Sequence, residues 1–460
     1  MTDKFDDDGA PDFGAAFVIH VDFDGVERRR SSSARLEEAV GLAQAIDLNV
    51  VFAEVANISD PRPATLLGRG RVQAIEDRLN GTEPRPGLVI VDTALSPVQH
   101  RNLENAWRTK VLDRTALILE IFGERAQTAE GRLQVDLAHL TYQKSRLVRS
   151  WTHLERQRGG RGFLGGPGER QIESDRRAIQ VRIDRLREKL DQVRRTRTLQ
   201  REKRRKTPHP VVALVGYTNA GKSTLFNLLS RAAVVARDQL FATLDPTMRA
   251  IDLPSGQRVI LSDTVGFISD LPTQLVAAFR ATLEEVNEAD LILHVRDIAH
   301  EDTEAQREDV LKVLAELGVE PQGDRRFVEV LNKIDILPAE DRKALEATAR
   351  LTREKNAGTI EEPFKAAVSA ITGEGVDELR AFIDELLTLD RETFRVTLNA
   401  GDGAARAWLH AHGEVLAEAA EDGLVAIDVR ITRKSEGQFK KQFPGAAIIL
   451  RVADRGRLSA

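Results

Sequence analysis

Residues 216–223 read GYTNAGKS, a spacing of glycine, lysine and serine that is typical of a phosphate-binding loop. In such a loop the glycines let backbone N–H groups turn inward around the phosphates. Lys222 would place its ammonium group on the β and γ oxygens, and the Ser223 hydroxyl would ligate Mg²⁺. Nucleotide contact is therefore predicted for Gly216, Tyr217, Thr218, Asn219, Ala220, Gly221, Lys222, Ser223 and Thr224.

A second motif, residues 332–335 with the sequence NKID, is typical of a site that reads guanine. The Asp335 carboxylate can accept both the ring N–H and the exocyclic amine of guanine, whereas adenine would leave it unpaired. Asn332 would brace the phosphate loop, and Lys333 would cover the plane of the base. Ser369 and Ala370, at the end of a further strand, are predicted to complete the base site.

The segment between these motifs supplies candidates for the γ-phosphate and the metal. Asp263 would hold Mg²⁺ through a water molecule, and the N–H of Gly266 would bond the γ-phosphate. Thr243 is the predicted second Mg²⁺ hydroxyl, and Thr247 is the alternative. The nucleotide contacts predicted in this segment are Phe241, Ala242, Thr243, Asp263, Thr264, Val265 and Gly266.

Phe267 follows Gly266 at a position where many signalling GTPases carry a glutamine that orients the attacking water. A phenyl ring cannot make that hydrogen bond, so intrinsic hydrolysis is expected to be slow and a partner to supply the useful rate. Another side chain of this chain could substitute for the glutamine. Lys222, Thr243 and Gly266 are the residues predicted to act in catalysis.

The elements around these motifs predict an α/β, multidomain protein. Short strands at 15–19, 50–55 and 87–91 alternate with helical patterns, which predicts an N-terminal α/β domain over 15–130. The phosphate loop follows an apolar strand and precedes an apolar helix, so a P-loop GTPase domain with a mostly parallel sheet is expected over 208–390. Residues 391–460 read as strand, helix, strand, strand, helix, strand, which predicts a small ferredoxin-like α+β domain.

Residues 131–207 are predicted to form an antiparallel helical hairpin. Apolar residues recur at heptad spacing in two runs, and six of the ten residues at 159–168 between the runs are glycine, through which no helix continues. The heptad positions are Leu133, Leu137, Leu140, Leu147, Trp151 and Leu154 in the first run, and Ile172, Ile179, Ile183, Leu186, Leu190 and Val193 in the second.

The hairpin region also carries an uneven charge. Residues 141–210 contain 21 Lys and Arg against 8 Asp and Glu, an excess of 13, although the net charge of the whole chain is −5. An excess of one sign favours a polyanionic partner such as nucleic acid over a solvated helix face. The predicted RNA contacts are Arg158, Arg161, Arg170, Arg176 and Arg177.

Composition excludes several other classes of protein. A chain of 460 residues is expected to hold about three domains. Zero cysteines exclude disulfides, a cysteine nucleophile and Cys-ligated metal sites, and His410 and His412 lack companions for a metal site. Residues 1–14 read as an acidic disordered tail rather than a secretory signal, and there is no run of eighteen apolar residues. The expected protein is cytoplasmic and monomeric, without a membrane span, and partial membrane association stays open.

With these motifs together, the chain resembles the HflX family of ribosome-associated GTPases over nearly its whole length. In the hairpin the resemblance rests on residues 159–160, 166–169, Gln171, Glu173 and 175–177. It implies binding to the large ribosomal subunit, approach of the hairpin tip to the peptidyl-transferase region, and GTP-dependent separation of stalled ribosomes under stress. The chain departs from the family pattern at 163–165, where a shorter stretch with a basic residue is expected.

The leading hypothesis is a GTP-hydrolysing switch that uses Mg²⁺ and docks its basic hairpin on the ribosomal RNA of the large subunit while GTP is bound. Hydrolysis of the GTP would then release it. One alternative is a guanine-nucleotide-gated module that binds RNA or the ribosome with little turnover. Another is an NTPase that remodels free RNA.

Overall fold

The computed structural model describes residues 12–24, 30–157, 167–204, 209–231, 241, 247–270, 286–321, 324–355, 362–389, 391–421 and 423–450. The predicted multidomain α/β class is confirmed, with two largely parallel sheets, a pair of long helices and a smaller antiparallel sheet. The first strand begins at Asp12, inside the segment predicted as a disordered tail, so strand structure starts three residues earlier than expected.

The N-terminal sheet consists of four parallel strands in the order β2-β1-β3-β4. All three predicted strands lie within it, but β4 and α4 were not predicted. The reason is that α4 is apolar on most of its surface and buried, so its sequence shows no clear amphipathic period. The elements are β1 (Asp12–Phe23), α1 (Ser32–Gln44), β2 (Asn49–Ile58), α2 (Arg69–Asn80), β3 (Pro86–Asp92), α3 (Pro97–Trp107), β4 (Lys110–Asp113) and α4 (Arg114–Arg125).

Two long helices follow, α5 (Ala129–Gln157) and α6 (Pro167–Arg204), which pack against each other and are called the arm below. Ile183 and Leu190 of the second heptad run are buried, as expected for positions on the seam between two helices. The predicted glycine tip, with Phe163 and Leu164, lies outside the described residues.

The third unit is a six-stranded sheet in the order β10-β9-β8-β5-β7-β6, in which β6 alone runs antiparallel to its neighbour. Five parallel strands place the ends of β5, β7, β8 and β9 at one edge, where ligands bind in sheets of this kind. Its elements are β5 (Val211–Gly216), α7 (Lys222–Ser230), β6 (Thr247–Asp252), β7 (Arg258–Asp263), β8 (Leu291–Asp297), α8 (Thr303–Glu316), β9 (Phe327–Asn332), α9 (Ala339–Lys355), β10 (Phe364–Ala367) and α10 (Val376–Leu389).

The last unit is an antiparallel sheet in the order β12-β13-β11-β14, with two helices. This is the predicted ferredoxin-like order of elements, and Phe394, Ile427 and Phe439 are buried in its core. The elements are β11 (Arg391–Asn399), α11 (Gly403–His412), β12 (Glu414–Glu421), β13 (Leu424–Thr432), α12 (Arg433–Gln442) and β14 (Ala447–Leu450).

One apolar core is shared between the N-terminal sheet and the six-stranded sheet. It contains Leu42 and Phe122 from the first and Tyr217, Val265 and Phe267 from the second. The two units are therefore packed together through buried side chains, next to the phosphate loop. Across the described ranges, no helix combines the length and apolar character needed to cross a membrane.

Candidate nucleotide site

The phosphate loop joins the end of β5 to the start of α7, and its shape requires glycine at Gly221. The φ angle of Gly221 is +90°, which residues with a Cβ rarely adopt. A Cβ at this position would also lie 2.2 Å from Nδ2 of Asn332. That amide donates a 2.8 Å hydrogen bond to the carbonyl oxygen of Ala220. The contact expected between Asn332 and the loop is therefore present.

The guanine motif lies where β9 ends in a short 3₁₀ helix, Ile334–Ile336. Oδ1 of Asp335 is buried and has no hydrogen-bond partner among the described residues, which suits a carboxylate that receives N–H groups from a base. The N–H of Ala370 donates to Oδ1 of Asn332 at 3.0 Å, and Ser369 is fully buried. Nζ of Lys333 lies 2.7 Å from a carboxylate oxygen of Asp297. The tertiary structure thus brings residues 332–335 and 369–370 together.

The side chain of Lys222 is buried at the phosphate end of the site. Its ammonium donates to the carbonyl oxygen of Tyr217 at 2.6 Å. Burial lowers the pKa of Lys222 to about 8, although the nearby negative charge of Asp263 works in the opposite direction. Because the nearby negative charge does not offset the cost of burying this ammonium, the site favours an incoming anion such as phosphate.

Two predicted metal ligands meet directly. Oγ of Ser223 donates to Oδ2 of Asp263 at 2.7 Å, and a hydroxyl with a carboxylate is the hard oxygen set that Mg²⁺ prefers. The residues therefore fit a magnesium ion. Thr247 stands opposite Asp263 in the β6–β7 pairing, whereas Thr243, the first choice for a further ligand, and Ala242 lie outside the described residues.

Gly266 lies against the loop so closely that a side chain has no space. A Cβ there would be 2.8 Å from Cγ2 of Thr218 and 3.0 Å from Nζ of Lys222. Next to it, Phe267 accepts a 2.8 Å hydrogen bond from the N–H of Thr218 and donates one of 3.1 Å to the carbonyl of Gly216. The Phe267 ring is 1% exposed and packs in the shared core, so it does not supply a polar group to a nucleotide.

The remaining residues predicted to contact the nucleotide in this region differ in burial and in the hydrogen bonds of their side chains. The hydroxyl of Thr264 donates to the carbonyl of Leu214 at 2.6 Å and is fully buried, so this side chain is already engaged within the protein. Val265 is buried in the core. Oγ1 of Thr218 is buried without a hydrogen-bond partner in the described part of the chain. Thr224 lies half-buried in α7.

Four family models match the chain. They are described as the GTP-binding GTPase N-terminal region over residues 33–123, the GTP-binding GTPase middle region over 125–204, the 50S ribosome-binding GTPase over 211–333 and the HflX C-terminal domain over 355–446.

Curated relatives extend over most of the chain. GTPase HflX of Magnetococcus marinus is 51% identical over 381 residues, which is 83% of this chain and 84% of that protein. GTPase HflX of Escherichia coli K12 is 40% identical over 430 residues, 93% of this chain and 96% of that protein. The chain belongs to the HflX family. It is a P-loop GTPase that binds GTP, as the sequence predicts.

Among the solved structures that match the chain is a GTP-binding protein from the hyperthermophilic archaeon Sulfolobus solfataricus in complex with GDP. It has 23% sequence identity and a TM-score of 0.45, and the match covers 81% of this chain and 99% of that one.

Two segments of the nucleotide site, called the first switch segment (at Phe241) and the second switch segment (Gly266 to Ser269) below, contact the N-terminal unit, which the sequence did not predict. Phe241 is 2% exposed and its ring meets that of Phe122 of α4 edge-on, with centroids 4.7 Å apart. Ser269, shortly after Gly266, accepts two 3.0 Å hydrogen bonds from Arg114 at the start of α4, one on its carbonyl and one on Oγ.

Tyr217 extends the same contact from within the phosphate loop. Its hydroxyl donates to Glu38 of α1 at 2.6 Å and accepts from the N–H of Ser269 at 2.7 Å. Burial and the adjacent Glu38 carboxylate raise the pKa of Tyr217, so it stays protonated. Burial alone would raise the pKa of Glu38, but the positive charges of Arg114 and Arg30 and the bond from Tyr217 hold it below its usual range. A local signal of this cluster is Arg114 itself, a charged residue at the start of the mostly apolar α4.

Two of the predicted RNA contacts have described side chains on the arm of this HflX-family chain. Arg176 and Arg177 are exposed on α6, and Arg177 donates to Glu173 at 2.6 Å. Arg170 falls within α6, but its side chain, like Arg158 and Arg161, lies outside the described part of the chain.

Proposed function

We propose that this HflX-family GTPase binds the large ribosomal subunit through its arm and uses GTP hydrolysis to split or rescue stalled ribosomes. The observation that carries the proposal is the arm itself. Its helices contain 29 and 38 residues, and the longer one extends about 57 Å at the α-helical rise. A basic rod of that length reaches well beyond the GTPase core. The description of the family model over residues 211–333, a 50S ribosome-binding GTPase, supports the same partner.

We assign the nucleotide roles to the residues predicted from the motifs. Lys222 neutralises the β- and γ-phosphates, the N–H of Gly266 bonds the γ-phosphate, and Asp335 reads guanine. Ser223 would hold Mg²⁺ with its hydroxyl, Asp263 would act through a water molecule, and Thr243 or Thr247 would supply the further hydroxyl. The ion, when bound, supplies positive charge to the phosphate oxygens. The contact of Ser223 with Asp263 and the unpaired Oδ1 of Asp335 support these roles.

The rate of hydrolysis is proposed to depend on the ribosome. Phe267 is turned into the core, so it cannot orient a water molecule as a glutamine does. Unassisted turnover of a signalling GTPase is roughly 10⁻⁴–10⁻³ s⁻¹ and partner-assisted gains are about 10³–10⁵. We expect the large subunit to provide a gain of this order, by ordering the switch segments or by contributing a side chain or RNA group.

The proposed domains keep the bounds predicted from the sequence: a tail at 1–14, an N-terminal domain at 15–130, the arm region at 131–207, the GTPase domain at 208–390 and a C-terminal domain at 391–460. A ribosomal partner places the proposed activity in the cytoplasm.

Two measurements test the proposal. Co-sedimentation with purified large subunits under GTP, GDP and a non-hydrolysable GTP analogue should show the tightest binding with the analogue. Phosphate release should rise by orders of magnitude when subunits are added. Equal binding in every nucleotide state contradicts a GTP-controlled switch. Binding without acceleration indicates the low-turnover module, and equal stimulation by free duplex RNA indicates the RNA-remodelling enzyme.

A further inference from the structure

The helix α4 contacts three functional parts of the molecule within a few residues. Asp113 and Arg114 are consecutive, at the N-terminal end of α4. Arg114 donates to Ser269 of the second switch segment, and Asp113 accepts from Tyr142 and Arg146 of the arm. Eight residues along the same helix, Phe122 packs on Phe241 of the first switch segment. No single function of the chain requires this convergence, so it calls for a separate explanation.

The contact with the arm is built on Asp113. Its carboxylate caps α4 by accepting from the N–H of Ala116 at 2.8 Å. It also accepts a 2.8 Å hydrogen bond from the hydroxyl of Tyr142 and a bond from the guanidinium of Arg146, both on α5. The Arg146 guanidinium lies over the Tyr142 ring, 4.5 Å from its centroid. The arm is thus attached to α4 by polar contacts with defined geometry.

The contact with the nucleotide site is buried and charged. Arg114 is 8% exposed and bonds both Asp92, at 2.5 Å, and Glu38. Asp92 is held in turn by His20 of β1 at 2.7 Å. Glu38 accepts from Tyr217 of the phosphate loop and from Oγ of Ser269, the latter at 2.9 Å. Buried charges are tolerated only with near-ideal partners, so this network favours one arrangement and resists gradual deformation.

Consecutive residues cannot move independently, because their Cα atoms are fixed about 3.8 Å apart. A shift of α5 that pulls the backbone at Asp113 therefore displaces Arg114, which bonds Ser269 directly and reaches Tyr217 through Glu38. Conversely, a nucleotide-dependent change in the second switch segment alters the partners of Arg114. Coupling of two sites requires an element whose arrangement both sites bias, and α4 meets that description.

We propose that α4 couples the position of the arm to the geometry of the nucleotide site, with Asp113 and Arg114 as positioning residues for GTP hydrolysis. The stimulation part of the proposal rests on the proposed function, since it takes the large subunit as the partner that displaces the arm. The coupling itself does not depend on the identity of that partner.

The first test separates coupling from binding. Tyr142→Phe removes the hydroxyl that reaches Asp113 but keeps the ring. Basal hydrolysis and the affinity for large subunits should stay as in the wild type, while the maximal stimulation at saturating subunits should fall at least several-fold. Thr141→Val is the matched control, because the Thr141 hydroxyl bonds only the carbonyl of Leu137 on its own helix. Ser269→Ala removes the hydroxyl that accepts from Arg114. If Tyr142→Phe and Ser269→Ala, tested as single variants, both keep full stimulation, the proposal is overturned.

The second test needs no ribosome. The chain contains no cysteine, so Glu188→Cys on α6 and Glu316→Cys on α8, both exposed positions, give two unique sites for spin labels. The distance between the labels should differ between GDP and a non-hydrolysable GTP analogue in the wild type, and that difference should shrink in Tyr142→Phe but not in Thr141→Val. A distance that ignores the nucleotide, or changes equally in Tyr142→Phe, overturns the coupling. If subunits neither bind nor stimulate while the distance still responds, the proposed function fails and the coupling stands.

Discussion

Asn332 donates Nδ2 to the carbonyl of Ala220 and accepts at Oδ1 from the N–H of Ala370. One side chain thereby joins the phosphate loop, the guanine motif and the segment after β10 that carries Ser369. Because Asn332 is buried, its two bonds have no water to replace them, and the three segments depend on it for their relative positions.

Removing that side chain should weaken nucleotide binding. Asn332→Ala leaves a buried carbonyl and a buried N–H unpaired, at about 1–3 kcal/mol each, and part of this should appear as a fall in GDP affinity of roughly 10-fold or more. Isothermal titration calorimetry with GDP measures it. Asn287→Ala is the control, since Asn287 bonds the carbonyl of Leu317 at an exposed position. An unchanged affinity for Asn332→Ala would show that the loop holds its shape without the brace.

The identity of the base should depend on Asp335. Asp335→Asn replaces an acceptor with a side chain that also donates, so the preference for guanine over adenine nucleotides should fall from a ceiling of about 10⁴–10⁵ by at least about 10-fold. Competition of GDP and ADP for a fluorescent guanine nucleotide provides the measurement. Asp341→Asn, at an exposed position on α9, should behave as the wild type. Undiminished discrimination in Asp335→Asn would mean that the base is read by other groups.

Nucleotide binding should take up a proton above neutral pH. Burial holds the pKa of Lys222 at about 8 in the nucleotide-free protein, and phosphate charges must raise it. At pH 8.5 the Lys222 side chain is mostly neutral in the nucleotide-free protein and cationic in the complex. Binding therefore takes up a proton, and the affinity for GDP falls as the pH rises. Titrations of GDP in buffers of different ionisation enthalpy, at pH 7 and 8.5, detect this. Equal proton uptake at both pH values would contradict it, and Lys222→Ala should abolish tight binding.

The buried network of Asp92, Arg114 and His20 should make the free energy of unfolding depend on pH in the acidic range. Burial would raise the pKa of Asp92, but the charge of Arg114 and the bond from His20 hold it at about 2, below the ordinary value of an aspartate. The folded state is therefore stabilised above pH 4, by about 2 kcal/mol, and this contribution disappears as the pH falls through about 2. Asp92→Asn should lower the thermal midpoint at pH 7, and the difference from the wild type should shrink between pH 4 and 2. Asp47→Asn, at a surface position, should show no such convergence, and a constant difference for Asp92→Asn would contradict the assignment.

Binding to large subunits should weaken steeply with salt. Each phosphate neutralised by the arm adds about 0.7–0.9 to the slope of log affinity against log salt concentration. Arg176→Glu with Arg177→Glu should lower both affinity and slope. The control is Lys343→Glu with Arg350→Glu, at exposed positions on α9. It makes the same change in net charge away from the arm. An affinity that hardly changes across a several-fold range of salt would exclude the arm as the anchor.

The nucleotide motifs could be predicted because each one is a short segment whose chemistry depends on local backbone geometry. Gly221 at φ +90° and the close contact at Gly266 follow from residue type and spacing, and so do the heptads of the arm. The magnesium fit also follows, because strand β7 must end beside the loop that carries Ser223 in any sheet of this order.

The sequence alone determined the GTPase motifs, the basic arm and the ferredoxin-like order of the last unit. Only the tertiary structure decided that Glu38, Arg114, Tyr217 and Ser269 meet. Their separations reach 231 residues along the chain, and each is polar or charged in a way that would equally suit the surface. Their partnership depends on how two sheets pack over a shared core, and burial of that kind leaves no periodic trace in the local sequence.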